Sequence, residues 1–110
     1  MPMHDTFQAL YNTVLKRRSE HKEGSYTCYL FEQGLDKILK KVGEECSETI
    51  IAAKNGIAKD TISEIADLQY HLMVMMVSEG ITLDELEAEL DRRSEKTGNL
   101  KKFHQVDHNT

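Results

Sequence analysis

Apolar positions recur three and four apart along most of this chain, the spacing of helices that bury one side. Between residues 4 and 20, Phe7, Leu10, Tyr11, Val14 and Leu15 predict a first helix, with Asp5 or Thr6 as its start and Gly24 as a later stop. Residues 20–34 hold two glycines and an aromatic cluster, which predicts an ordered loop with a short helical turn. From 35 to 54, Leu35, Ile38, Leu39, Val42, Cys46, Ile50 and Ala53 form a single stripe, ended by Asn55-Gly56 as a left-handed cap. Cys46 is expected on that apolar side.

Around 59–78 the pattern changes. Leu68, Tyr70, Leu72, Met73, Val74, Met75, Met76 and Val77 make the second half apolar all round, and Gly80 closes it. A helix without a polar face must be buried on several sides. In a small protein that means the centre of a bundle or a surface pressed against a second subunit, so a homodimer is expected. Thr82 and Glu85 then read as a capping box opening a helix to about Ser94. The expected fold is all-α, four to five helices in an antiparallel bundle completed by homodimerisation. A domain over 1–95 is followed by a polar tail, 96–110, expected to fray.

Composition narrows the function. A chain of 110 residues forms one domain with a modest core, leaving further burial to a partner. With Lys+Arg 14 against Asp+Glu 19, the net charge of -5 disfavours sequence-independent nucleic-acid binding, which relies on a basic face. Cys28 and Cys46 lack CxxC spacing, and no stretch reads as a signal peptide or membrane span. A reducing, cytoplasmic setting is the expectation.

The acidic residues carry the chemistry. Glu44-Glu45-Cys46-Ser47-Glu48 and Glu64-Ile65-Ala66-Asp67 give EExxE followed by ExxD on two helices separated by the Asn55-Gly56 turn. Glu44, Glu45 and Glu48 fall within an arc of roughly 100°, and Glu64 and Asp67 within about 60°. Facing helices of this kind can share a cation, and oxygen-only ligands suit Mg²⁺, or alternatively Mn²⁺, bound together with substrate phosphates. The competing reading of the first cluster is a solvated face with Lys40–Glu44 and Lys41–Glu45 pairs. The second cluster shifts the balance, because Asp60, Glu64, Asp67 and His71 share one stripe of a helix crowded with apolar residues. Ionised carboxylates there are costly unless paired or bound to metal.

Lys37 and Lys41 precede the acids on nearly the same stripe, where a phosphate chain would meet cations at one end and a metal at the other; solubilising lysines are the plainer reading. His71 could orient a ligand or water, but a lone histidine on a buried helix reads first as structurally satisfied. Neither cysteine has the context of an activated nucleophile.

The blocks Ser25-Tyr26-Thr27, Leu30-Phe31, Gly34, Lys37-Ile38, Lys40-Lys41-Val42-Gly43-Glu44-Glu45, Glu48, Ala52-Ala53-Lys54 and Glu64-Ile65-Ala66-Asp67-Leu68 with Tyr70-His71-Leu72 resemble the phosphoribosyl-ATP pyrophosphohydrolase family. The acidic motif alone marks only the wider all-α, MazG-like NTP pyrophosphohydrolase group; the block SYTxxLFxxGxxKIxxKxGEE is the more specific. The resemblance implies hydrolysis of 1-(5-phosphoribosyl)-ATP between its α and β phosphates, a step of histidine biosynthesis. Glu45, Glu48, Glu64 and Asp67 would then hold one or two Mg²⁺ ions, and Glu44 a second ion or the attacking water. Lys37 and Lys41, with Lys54 as a weaker candidate, would clamp phosphate, and Tyr26 and Thr27 would contact the nucleotide or the added ribose phosphate. Two other readings stand beside it. One is a house-cleaning pyrophosphatase acting on ordinary or damaged NTPs; the other is a non-catalytic helical dimerisation module.

Overall fold

The computed structural model describes residues 5–95, and among these the chain forms α1 (Thr6–Ser19), α2 (Tyr26–Gln33), α3 (Leu35–Asn55), α4 (Ala58–Glu79) and α5 (Leu83–Ser94). The helix ends follow local chemistry. Asp5 caps α1 by accepting from the Gln8 amide at 3.0 Å. At α5 the expected capping box is present: the Glu85 amide donates to Thr82 Oγ1 at 3.1 Å, and the Thr82 amide donates to Glu85 Oε1 at 2.8 Å. Gly56 ends α3 in the left-handed region, φ 80°, with its amide bonded back to the carbonyls of Ala52 and Ala53.

The segment expected to be a loop is instead largely the eight-residue helix α2. Ser25 caps it, its hydroxyl accepting from the Cys28 amide at 3.1 Å. Two glycines and a run of aromatics hid this helix, because the glycines lie outside it rather than within it. Gly34 alone separates α2 from α3, at φ 96° and ψ -179°, a backbone region essentially reserved for glycine.

The described residues fall into two compact units, one ending at Gly80 and one beginning at Ile81. The second contains α5. In the first, α3 and α4 pack most extensively, α1 lies on α4, and α2 touches both α1 and α3. Val14, Leu30, Ile38, Val74 and Val77 are fully buried between them. Arg18 Nη1 donates to the Val77 carbonyl at 2.8 Å, supplying one of the last carbonyls of α4 with a charged donor. As expected, the second half of α4 is the most enclosed, with His71, Met73, Val74, Met76 and Val77 buried.

The face that α3 presents to the core differs from the expected one. Ile38, Glu45 and Ala52 are buried, with Lys41 and Thr49 half-buried between them. The neighbouring stripe, which was expected to be covered, is open within the described chain: Leu39 is 44% and Ile50 64% exposed, and Cys46 is exposed rather than turned inward. The two stripes differ by about one residue's rotation, roughly 100°. The periodicity located an apolar face without revealing what covers it.

Candidate active site

Thr49 brings the acidic segments together. Its Oγ1 donates to the Glu45 carbonyl at 2.7 Å within α3 and lies 3.3 Å from the Glu64 carbonyl across on α4. One turn of each helix is thereby held against the other, at the level of both acidic motifs. Glu45, Glu48 and Glu64 each offer an oxygen within 4.8 Å of the others. Glu45 is buried, Glu64 half-buried and Glu48 exposed, so the trio runs from the core outward.

Two of these residues carry an exceptional oxygen. Glu45 Oε1 and Glu64 Oε1 are buried and accept no hydrogen bond among the described residues. A buried carboxylate oxygen without a donor is unfavourable by itself. Burial first, then the neighbouring carboxylates of Glu48, Glu45 and Asp67, push the Glu64 carboxyl above the ordinary glutamate value. Three clustered carboxylates, two of them with a buried unsatisfied oxygen, fit a hard divalent cation, which would supply both the counter-charge and the missing coordination.

Lys41 provides part of the counter-charge. Its Nζ lies 3.2 Å from Glu44 Oε1 and 3.8 Å from Glu45 Oε2. The pairing with Glu44 raises the Lys41 ammonium and lowers the Glu44 carboxyl, the latter helped by Lys40 and Lys37. Glu44 thus faces lysine and stands outside the carboxylate trio. Asp67 is also outside it, exposed one turn further along α4, near enough for its charge to act on Glu64. Lys37 is half-buried near the start of α3, whereas Lys54 is exposed in its last turn. An open cleft lined by Glu48, Ile51, Asn55, Asp60, Ser63 and Glu64 leads away from the trio.

The first turn of α2 is joined to α4. Tyr26 OH and His71 Nε2 are 3.1 Å apart, and Thr27 Oγ1 is hydrogen-bonded to Tyr70 OH. Burial raises the Tyr26 and Tyr70 phenols above their ordinary value, and the Thr27 bond opposes that rise at Tyr70. The charges of Lys41, Glu45 and Glu44 also act on the Tyr26 phenol. Tyr70 and His71 were not singled out as site residues by sequence, since within an apolar run they read as core.

Residues 7–94 match the family described as Phosphoribosyl-ATP pyrophosphohydrolase. The chain is 54% identical over 101 residues to the phosphoribosyl-ATP pyrophosphatase of Clostridium botulinum (strain Hall), covering 92% of each. It is 50% identical over 101 residues to that of Streptococcus sanguinis (strain SK36), covering 92% of this chain and 97% of that protein. Identity to the Clostridium novyi (strain NT) protein of the same name is 50% over 97 residues, 88% of each. With a match spanning α1 to α5 and relatives aligned over nearly their whole length, this chain belongs to the phosphoribosyl-ATP pyrophosphohydrolase family.

Proposed function

We propose that this chain hydrolyses 1-(5-phosphoribosyl)-ATP to 1-(5-phosphoribosyl)-AMP and pyrophosphate, the second step of histidine biosynthesis, as a Mg²⁺-dependent enzyme. The observation that carries this reading is the pair of buried, unsatisfied oxygens of Glu45 and Glu64 beside Glu48, in a chain of this family. Glu45, Glu48 and Glu64 would hold the cation, with Asp67 completing the set from the exposed side. A divalent ion there offsets phosphate charge and makes water a better nucleophile near neutral pH.

The protein groups do the positioning. Lys41, which pairs with Glu44 and Glu45, would clamp a phosphate, together with Lys37 one turn earlier on α3 and with Lys54 as the weaker candidate. Glu44, held ionised by Lys41, is the candidate to orient the attacking water or take up its proton. Attack is in line on phosphorus, with no covalent enzyme intermediate, because phosphoryl transfer depends chiefly on placement and electrostatics. One water is consumed, and the bond broken is the α–β anhydride. Tyr26 and Thr27, fixed at the head of α2, are the proposed contacts to the nucleotide or its added ribose phosphate.

The same reading includes a homodimer, supported by the open apolar stripe of Leu39 and Ile50 on α3 and by Ile62, 66% exposed, on α4. No helix among the described residues is long and apolar enough to cross a membrane, and a cytoplasmic enzyme of small-molecule metabolism is proposed. Pyrophosphate release from phosphoribosyl-ATP, with and without Mg²⁺ and beside Glu48→Gln, is the test. Faster turnover of dUTP, dCTP or ATP would defeat the substrate assignment, and undiminished release by Glu48→Gln would remove that residue from the mechanism.

A further inference from the structure

His71 is almost wholly buried, 5% exposed, and both its ring nitrogens are engaged. Nδ1 lies 2.8 Å from the carbonyl oxygen of Asp67, one turn earlier on α4. That carbonyl can only accept, so Nδ1 carries the hydrogen. In the neutral imidazole Nε2 is then the acceptor, and the Tyr26 hydroxyl, 3.1 Å away, must donate to it. The order is fixed from one end: Asp67 carbonyl, imidazole, phenol.

Ring packing holds the pair in place. Tyr26 and His71 meet edge to face with centroids 5.8 Å apart, and Tyr70 meets His71 in the same manner at 4.9 Å. Tyr26 is nevertheless 44% exposed, so its inner end is bound to α4 while its outer part borders the surface. A ring in that position would otherwise turn about two torsions. With its hydrogen given to Nε2, the phenolic oxygen keeps its lone pairs as an acceptor.

We infer that His71 is a positioning residue, reading the α4 backbone at Asp67 through Nδ1 and setting, through Nε2, both the placement of Tyr26 and the hydrogen-bond polarity that Tyr26 offers to the nucleotide. This rests on the proposed contact between Tyr26 and substrate. Beside the Thr27–Tyr70 bond, His71 thereby helps to hold the carboxylate motif on α4 and the aromatic wall on α2 in register.

Steady-state kinetics on the full chain with Mg²⁺ and phosphoribosyl-ATP test it, using Tyr26→Phe, His71→Asn, His71→Gln and the double variant Tyr26→Phe/His71→Asn. The Asn amide can reproduce the Nδ1 bond without reaching Tyr26, while the longer Gln can accept from Tyr26 at the Nε2 position. Expected are KM increases of about fivefold to tenfold in Tyr26→Phe and His71→Asn, the effect of one hydrogen bond. The double variant should be no worse than either single one, kcat should change less than about threefold, and His71→Gln should recover most of the KM. Additive effects in the double variant, or a normal KM in His71→Asn beside a raised one in Tyr26→Phe, would overturn the positioning role. A normal KM in Tyr26→Phe would instead overturn the substrate contact on which it rests.

Imidazole ¹⁵N spectra of the wild type and Tyr26→Phe give a readout that does not require the histidine variants to fold. The His71 Nε2 resonance should shift when the phenolic donor is removed. An unmoved resonance overturns the inferred bond.

Discussion

Glu45 on α3 and Glu64 on α4 approach across the helix pair, each with a buried carboxylate oxygen that receives no hydrogen bond among the described residues. Folding therefore concentrates negative charge where it is least welcome. The energetic deficit is local, and Mg²⁺ is the proposed remedy. Adding Mg²⁺ should raise the melting temperature, with a stabilisation of about 2.7 kcal/mol when the ion is a hundredfold above its Kd. Glu64→Gln should melt no lower than wild type without metal and gain little when Mg²⁺ is added. Thermal melts of the two proteins in chelator and in Mg²⁺ distinguish this from a purely structural carboxylate, whose loss would lower both curves.

The same crowding sets a pH dependence. Burial and neighbouring carboxylates raise the Glu64 carboxyl in the folded protein, so the folded state holds a proton that the unfolded chain has already released. Its stabilising contribution is complete below the unfolded value and is lost as pH rises through the folded one. Metal-free protein should thus lose stability as pH climbs above the ordinary glutamate range. Mg²⁺ competes with that proton, so its stabilisation should grow over the same interval. Denaturant titrations at a series of pH values, with and without Mg²⁺, measure both trends; Glu64→Gln should flatten them.

Gly34 should tolerate substitution poorly. Nothing obstructs a Cβ there, yet φ 96° with ψ -179° is strained for any L side chain. Gly34→Ala should cost about 1–3 kcal/mol. If the chain relaxes by moving α2, Tyr26 and Thr27 move with it, and KM for phosphoribosyl-ATP should rise as well. Chemical denaturation and steady-state kinetics on this variant separate the two costs.

Leu30, wholly buried on α2, offers a contrast with Tyr26 on the same helix. Leu30→Ala should destabilise the protein by about 2–5 kcal/mol through lost burial and an unfilled cavity. At a temperature where the variant remains folded, its response to Mg²⁺ should persist. Loss of the Mg²⁺ response alongside an intact fold would show that α2 packing reaches the carboxylates.

The open stripe on α3 predicts association. Ile50→Glu places a charge on a residue that is 64% exposed in the single chain, so it should hardly disturb the folded protomer while weakening a dimer. Sedimentation equilibrium should show dimers for wild type and a shift toward monomer for the variant. Monomeric wild-type protein at micromolar concentration would sink the proposed dimer.

Much of this architecture was written in short-range chemistry. The capping pair Thr82 and Glu85, the Asn55-Gly56 stop and the apolar half of α4 depend on residues within a few positions of one another, and local hydrogen bonding and spacing determine them. Recognition of the family also came from sequence, because EExxE, ExxD and the block beginning at Ser25 are linear patterns. Even α2 left a signal at Ser25, although the flanking glycines outweighed it. Tertiary structure alone decided which side of α3 is enclosed. Hydrophobic periodicity favours the all-apolar stripe through Leu39 and Ile50, yet the approach of α4, with Thr49 near the Glu64 carbonyl, encloses the one bearing Glu45. It likewise placed Glu44 against Lys41, left Asp67 outside the carboxylate trio, and joined His71 to Tyr26 across 45 positions. Those outcomes depend on distances between helices, which no spacing along a single helix encodes.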